Sequence, residues 1–579
     1  MRRAPAIALA TAALALLPLP ALPAAASAVP AASAVPDASA VSYTSTAPYT
    51  STAPYASTAS YTATASYTAT ASYTATGSYT ATGSGAGRPV VRVEGGVVRG
   101  VRDGGVDRFL ALPYAAPPVG GLRWRAPQPA ASWPGVRDAA AWGARCPAAA
   151  SSNGPRSETE DCLYLNVFSP APTSPGRRLP VLFWIHGGGL LNGSADQHDG
   201  SLIARRANVV VVSVNYRLGV FGFLAHPALA AEAGGSGNYG LLDQQAALRW
   251  VRRDIAAFGG DPGRVTIDGE SAGAFSVCAH LTAPGSAGRY ERAALQSGSC
   301  PARPYADGEQ AGLSIAATLG CPDAAAAAAC LRALSPARLV DGPQYASFLY
   351  GTPALPENPD TAVRAGRFQR VPLLIGYNRD EGRTFTQGNL DWTGEQYEQW
   401  VRAGFGDRAA DVLARYPWPA RPDRFTGAYL TGAIATDAGL LAGIGGCPAL
   451  RLAGELTAYT RVHAYRFDHR TGPGLSPEPA GYVWGAGHAA ELAYLWPSFD
   501  NGTPIAPLFD AAERRLSRDM VGYWGSFTRA GAPRAAGSSP WPPLNGTSLV
   551  LSLRAGGRSV PVPMSVMSAE HHCDLWAGR

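Results

Sequence analysis

The stretch Phe258–Gly273, FGGDPGRVTIDGESAG, places the tightest demand on how this chain folds. An apolar run at Val265–Ile267 leads into Gly269-Glu270-Ser271-Ala272-Gly273, a pattern that fits a strand, a tight turn and a helix in that order. The turn needs small residues for a steric reason: glycines two before and two after the serine let strand and helix approach closely while the serine backbone is held in a strained geometry. Such a turn lifts the Ser271 hydroxyl out of the sheet and makes it a candidate nucleophile. G-x-S-x-G also occurs in ordinary exposed loops, so the reading requires a base, an acid and an oxyanion hole elsewhere in the chain.

One property of the composition restricts the chemistry available. The 48 basic residues are all arginine, and no lysine occurs among the 579 residues. Schiff-base catalysis, pyridoxal phosphate linkage, a Walker P-loop and a Ser-Lys dyad are thereby excluded, and a nucleophilic serine must use histidine as its base. At the N-terminus, Arg2-Arg3, the proline-interrupted apolar run Ala6–Leu22 and Ala26-Ser27-Ala28 predict a secretory signal peptide over residues 1–28, with Sec and twin-arginine export both open. No other stretch is long and apolar enough to span a bilayer, so a secreted, extracellular protein is expected. Eight cysteines, an even number in an exported chain, are read as disulfides. The net charge of +6 falls to +4 when Arg2 and Arg3 leave with the signal peptide, and no basic cluster stands out, so nucleic acid is not an expected partner.

From residue 43 to 79 a tyrosine recurs every six residues in a background of Ser, Thr and Ala. That period is too short for a helical repeat and the segment has little to bury, so residues 29–87 are read as a disordered tether whose composition also suits O-glycosylation or contact with a cell wall or glycan. Residues 88–579 carry the globular texture and form the expected catalytic domain, opening with a hairpin around Glu94-Gly95-Gly96.

Two apolar runs of buried-strand type precede the serine. Pro180–Ile185 is followed by His186-Gly187-Gly188-Gly189, and backbone N–H groups can point at a developing oxyanion only where no Cβ intrudes. Val209–Val214 ends in Asn215-Tyr216-Arg217-Leu218-Gly219, and residues 238–251 then read as a helix with Leu241, Leu248 and Val251 on one face. After the serine, the apolar run 371–378 enters Arg379-Asp380-Glu381-Gly382, where spacing leaves Asp380 and Glu381 as rival acids. Later histidines are His463, His469, His488, His571 and His572. His463 lies within a strand and His469 in a polar turn, and the pair beside Cys573 lacks metal-ligand spacing, so no metal and no cofactor are expected. His488 stands out in the glycine-rich Gly485-Ala486-Gly487-His488-Ala489-Ala490-Glu491-Leu492.

EDCLYLNVFSP at 160–170 and FGGDPGRVTIDGESAG together resemble the two signatures of the type-B carboxylesterases, which include cholinesterases and bacterial para-nitrobenzyl esterase-like enzymes. The resemblance runs through most of residues 88–579. It implies an α/β-hydrolase fold, a mixed and mostly parallel sheet flanked by helices, in which nucleophile, acid and base follow in that order. It assigns Ser271 as nucleophile, Glu381 as acid and His488 as base, leaving Asp380 and His186 structural. Gly188, Gly189 and Ala272 are implied as the oxyanion hole, with Glu270 and Ser297 lying around the site. Disulfides Cys146–Cys162, Cys321–Cys330 and Cys447–Cys573 and an Arg123–Glu160 ion pair are implied as well, while Cys278 and Cys300 stay open between a bond and two thiols. The loop from Cys146 to Cys162 lacks the aromatic residue with which cholinesterases hold choline, which argues against a quaternary ammonium substrate. Asp268 departs from the family, which has an apolar residue there, so its carboxylate either has a buried partner or sits near the surface. The function implied is a secreted serine carboxylesterase acting on a small-molecule ester through an acyl-enzyme. A lipase, a sterol esterase, a hydrolase of an antibiotic or toxin ester, and a non-catalytic adhesion module are the alternatives on the same fold. The pocket walls fall in segments 301–360 and 384–445, whose patterning is too weak to read a substrate or an acyl-chain preference.

Overall fold

A computed structural model describes residues 87–577 of the chain. The signal peptide read at 1–28 and the tether read at 29–87 lie outside the described residues, Gly87 excepted.

The first described element is the expected hairpin, β1 (Val90–Val93) against β2 (Gly96–Arg99). β3 (Val101–Asp103) and β4 (Val106–Pro113) follow, and β5 (Val136–Asp138) pairs with β2. Next come β6 (Tyr164–Pro170), β7 (Leu179–Ile185) and β8 (Val210–Val214), then β9 (Gly260–Glu270) and β10 (Arg292–Gln296). A separate two-stranded ladder joins β11 (Arg303–Pro304) to β12 (Leu349–Tyr350). β13 (Leu373–Asn378), β14 (Val462–Phe467), β15 (Leu549–Leu553) and β16 (Val560–Pro563) complete the strands.

Eleven strands form one sheet in the order β16-β15-β14-β13-β10-β9-β7-β8-β6-β4-β3. From β8 to β15 every neighbouring pair is parallel, and antiparallel strands occupy both edges. This is the mixed, mostly parallel sheet of the α/β-hydrolase fold. Helices on both faces explain why the central strands are continuous apolar runs and not alternating ones. Phe183, Val212, Ile267, Leu295 and Ile375 pack into one core with helices Tyr239–Asp254 and Ala272–Thr282. Their sequence neighbours Leu182, Trp184, Val211, Ala294 and Leu374 pack into a second core with helix Ala511–Ala530.

The three disulfides implied by resemblance are present, and Cys278 is bonded to Cys300, which ties the helix after Ser271 to the segment after β10. Arg123 Nε donates to Glu160 at 2.7 Å, both side chains being buried. A second buried pair, Arg217–Asp243 at 2.7 and 2.8 Å, fastens the loop after β8 to helix Tyr239–Asp254.

Candidate active site

β9 ends at Glu270, and Ser271 turns the chain with φ 57° and ψ −122° before helix Ala272–Thr282 begins. A non-glycine residue in such a region carries about 1–3 kcal/mol of strain that its surroundings must hold in place. The reason for the flanking glycines is visible atom by atom. A Cβ on Gly269 would lie 2.5 Å from the Gly273 backbone, and one on Gly273 would lie 2.0 Å from the Ile185 carbonyl oxygen. The turn is pinned on both sides, with Ser271 N–H donating to Gln296 O at 2.9 Å and Ser271 O accepting from Phe275 N–H at 3.0 Å.

β7, beside β9, delivers the glycine run. Gly188 and Gly189 have φ of 100° and 65°, and a Cβ on Gly188 would meet the Asn192 carbonyl oxygen at 2.3 Å. Asn192 is braced in turn by Asn153 of the Cys146–Cys162 loop, whose side-chain amide donates to Asn192 Oδ1 at 2.8 Å. Among the described residues, the N–H groups of Gly188, Gly189 and Ala272 donate to no backbone or side-chain acceptor. His186 is buried, stacked on Tyr216 with ring centroids 4.5 Å apart, and burial pushes its imidazole down to about 4. A neutral, packed histidine of this kind fits the structural role expected for it.

The acid and base candidates come from the segments that follow β13 and β14, the strands next beyond β10. His488 Nδ1 lies 2.6 Å from Glu381 Oε2, and Glu381 Oε1 accepts the Asn378 N–H at 2.7 Å, so the carboxylate is held at both oxygens. Of the rival acids, the structure brings Glu381 to the imidazole. Asp380 accepts Arg470 Nε and Nη2 at 2.8 Å each and the Ala486 N–H at 3.0 Å, clamping the acid loop to the histidine loop. Burial acts to raise Asp380, but Arg383 and Arg470 outweigh it and hold the carboxyl below its ordinary value. His463 and His469 sit in and after β14, and His571 pairs with Asp437 at 2.6 Å, all apart from this cluster. Among the described residues, no group of three or more His, Cys, Asp or Glu side chains could hold a metal ion.

His488 Nε2 faces Glu270 Oε1 at 3.2 Å, and among the described residues no hydrogen bond joins the imidazole to the Ser271 hydroxyl. Catalytic hydrogen bonds are often long without substrate and tighten when it binds. Burial alone would lower His488, yet the charges of Glu270 and Glu381 hold it above its ordinary value, while burial pushes Glu270 upward. The imidazole and the Glu270 carboxyl therefore hold their protons more tightly than they would in water. Ser297 is buried, with φ 52°, and its N–H donates to Gly376 O at 2.8 Å.

Three participants went unassigned in the sequence. Asn378 Nδ2 donates to Gly487 O at 2.9 Å and to Glu491, whose own carboxyl burial pushes upward. The only available signal was a polar residue ending an apolar strand. Phe385, about half exposed, lies over His488 with ring centroids 4.9 Å apart, a contact between distant loops that no local pattern announces. Asp268 is fully buried: its register partner on β7 is Trp184, and Gln296 Nε2 donates to Oδ1 at 2.8 Å. The two outcomes open for it in the sequence thus resolve to a buried partner.

The family model described as the carboxylesterase family matches residues 87–576. Fumonisin B1 esterase of Sphingopyxis macrogoltabida is 36% identical over 481 residues, covering 78% of this chain and 84% of that protein. Para-nitrobenzyl esterase of Bacillus subtilis (strain 168) is 34% identical over 474 residues, covering 78% and 92%. Acetylcholinesterase of Bungarus fasciatus is 34% identical over 512 residues, covering 79% and 81%. A solved PNB esterase structure superposes with a TM-score of 0.69 at 31% identity, covering 84% of this chain and all of its own.

Proposed function

The chain belongs to the carboxylesterase family and is a carboxylic ester hydrolase, and from that premise we propose that it works through a Ser271-His488-Glu381 triad and an acyl-enzyme, as a secreted enzyme. The observation that carries this reading is the pairing of a serine at φ 57°, ψ −122° with an imidazole held 2.6 Å from a buried carboxylate at neighbouring strand ends.

In the proposed reaction, His488 Nε2 takes the Ser271 proton as Oγ attacks the ester carbonyl. Glu381 fixes the tautomer through Nδ1 and stabilises the imidazolium. The tetrahedral oxyanion is met by the N–H groups of Gly188, Gly189 and Ala272, donors already oriented before charge develops. Collapse expels the alcohol with the proton from Nε2, and water repeats the sequence to release the acid. The buried Glu381 carboxylate, 2.6 Å from Nδ1, favours the charged form of the imidazole in the transition state. The signal peptide read from the sequence over residues 1–28 and the four disulfides support export. Cell-wall or glycan contact would belong to the tether and not to the catalytic domain.

Ser271→Ala is expected to lower turnover of a p-nitrophenyl ester by about 10⁴–10⁶-fold, leaving a residue of activity from the oxyanion hole. A serine-directed phosphonate should label Ser271 and abolish turnover. Near-wild-type hydrolysis by Ser271→Ala would refute the assignment, and comparison of short with long acyl esters separates esterase from lipase.

A further inference from the structure

We propose that the cavity behind the acid loop binds a small carboxylate anion. Its volume is about 250 Å³, and it lies between residues 379–383, helix Thr426–Ala438, Arg470 and the turn at His571-His572. Since a water molecule occupies about 30 Å³ of liquid, the space holds an acid of a few carbons.

The hydrogen-bonding capacity around this space is unequal. Asp380 takes three donors from Arg470 and Ala486, as described above. Asp437 takes His571 Nδ1 at 2.6 Å and Tyr416 OH at 2.7 Å. Glu570 Oε2 takes Arg466 at 2.7 Å and lies 3.2 Å from Arg379. The acidic groups of the wall are thus largely consumed. Donors are left over: among the described residues, the only hydrogen bond from the Arg383 guanidinium runs from Nη1 to Val483 O at 2.8 Å, its Nε standing 3.6 Å from Asp380 as an ion pair, while Arg470 Nη1 and the His572 ring make none.

Arg383 lies over the Tyr429 ring at 4.5 Å, which fixes the plane in which its free N–H groups are offered. Charged donors in a planar fork, with acceptors spent, match the two oxygens of a carboxylate. Ala433 and Tyr429 on the wall give a short alkyl chain an apolar side, which favours a monocarboxylate over inorganic phosphate. The assignment does not depend on the chemistry of Ser271.

The test is a titration of butyrate into the full-length protein at constant ionic strength, with chloride making up the balance, read by thermal shift and by saturation-transfer NMR of the butyrate protons. A saturable signal is expected, weakened at least fivefold in Arg383→Gln and in His572→Gln, each variant being checked for a native circular dichroism spectrum. An absent signal, an affinity unchanged in both variants, or equal displacement by phosphate would each overturn the carboxylate site.

Discussion

Asp268 shows how one side chain can carry a measurable cost. Burial raises its carboxyl from the ordinary 3.8 to about 7, with Gln296 as its side-chain partner at 2.8 Å. The native state therefore binds this proton more tightly than the unfolded chain. The stability it contributes is complete below about pH 4 and is lost as pH rises toward 7, amounting at most to about 4 kcal/mol. Asp268→Asn keeps the shape and the Gln296 hydrogen bond but has no proton to lose. The variant should match wild type near pH 4 and gain stability over it up to about pH 7, after which the gap stays constant. Denaturation midpoints across pH 4–8 measure this, and a gap that does not vary with pH would remove Asp268 as its source. The partner was not readable beforehand, because Gln296 lies on the next strand, 28 residues away.

Among elements, what was legible follows a single physical rule. Strands buried on both faces must be continuous apolar runs, so β7, β8, β9, β13 and β14 announced themselves, and the turns at their carboxyl ends carried the candidate site. Spacing could not choose between Asp380 and Glu381, since both end the same strand; resemblance made the choice, and the contact with His488 agrees with it. Cys278–Cys300 stayed open because the local sequence says nothing of how close a helix and a neighbouring strand end will come. The disulfides also differ in what they restrain. Cys447–Cys573 spans 126 residues and Cys321–Cys330 spans 9. In the chain-entropy account, removing the first costs about 5 kcal/mol and the second about 3. Cys447→Ser with Cys573→Ser should thus lower the urea midpoint more than Cys321→Ser with Cys330→Ser, and the reverse order would show that native-state contacts, not loop closure, govern these bonds.

For the molecule as a whole, the site is contained in residues 186–491, inside the span matched by the family model. A protein lacking residues 29–87 is expected to hydrolyse p-nitrophenyl esters at close to the full-length rate. A fall below a tenth of that rate would give the repeat segment a part in catalysis. Among the described residues, no helix is long and apolar enough to cross a membrane.

The strand order has a consequence in time. Ser271 is made 110 residues before Glu381 and 217 before His488, yet the strands they follow, β9, β13 and β14, lie in one sheet with only β10 between the first two. A ribosome that stalls between residues 271 and 488 leaves a chain with the proposed nucleophile and without its proposed base. On the proposed triad, synthesis interrupted there is expected to yield a silent protein, and esterase activity is expected to appear only once the late strands have docked.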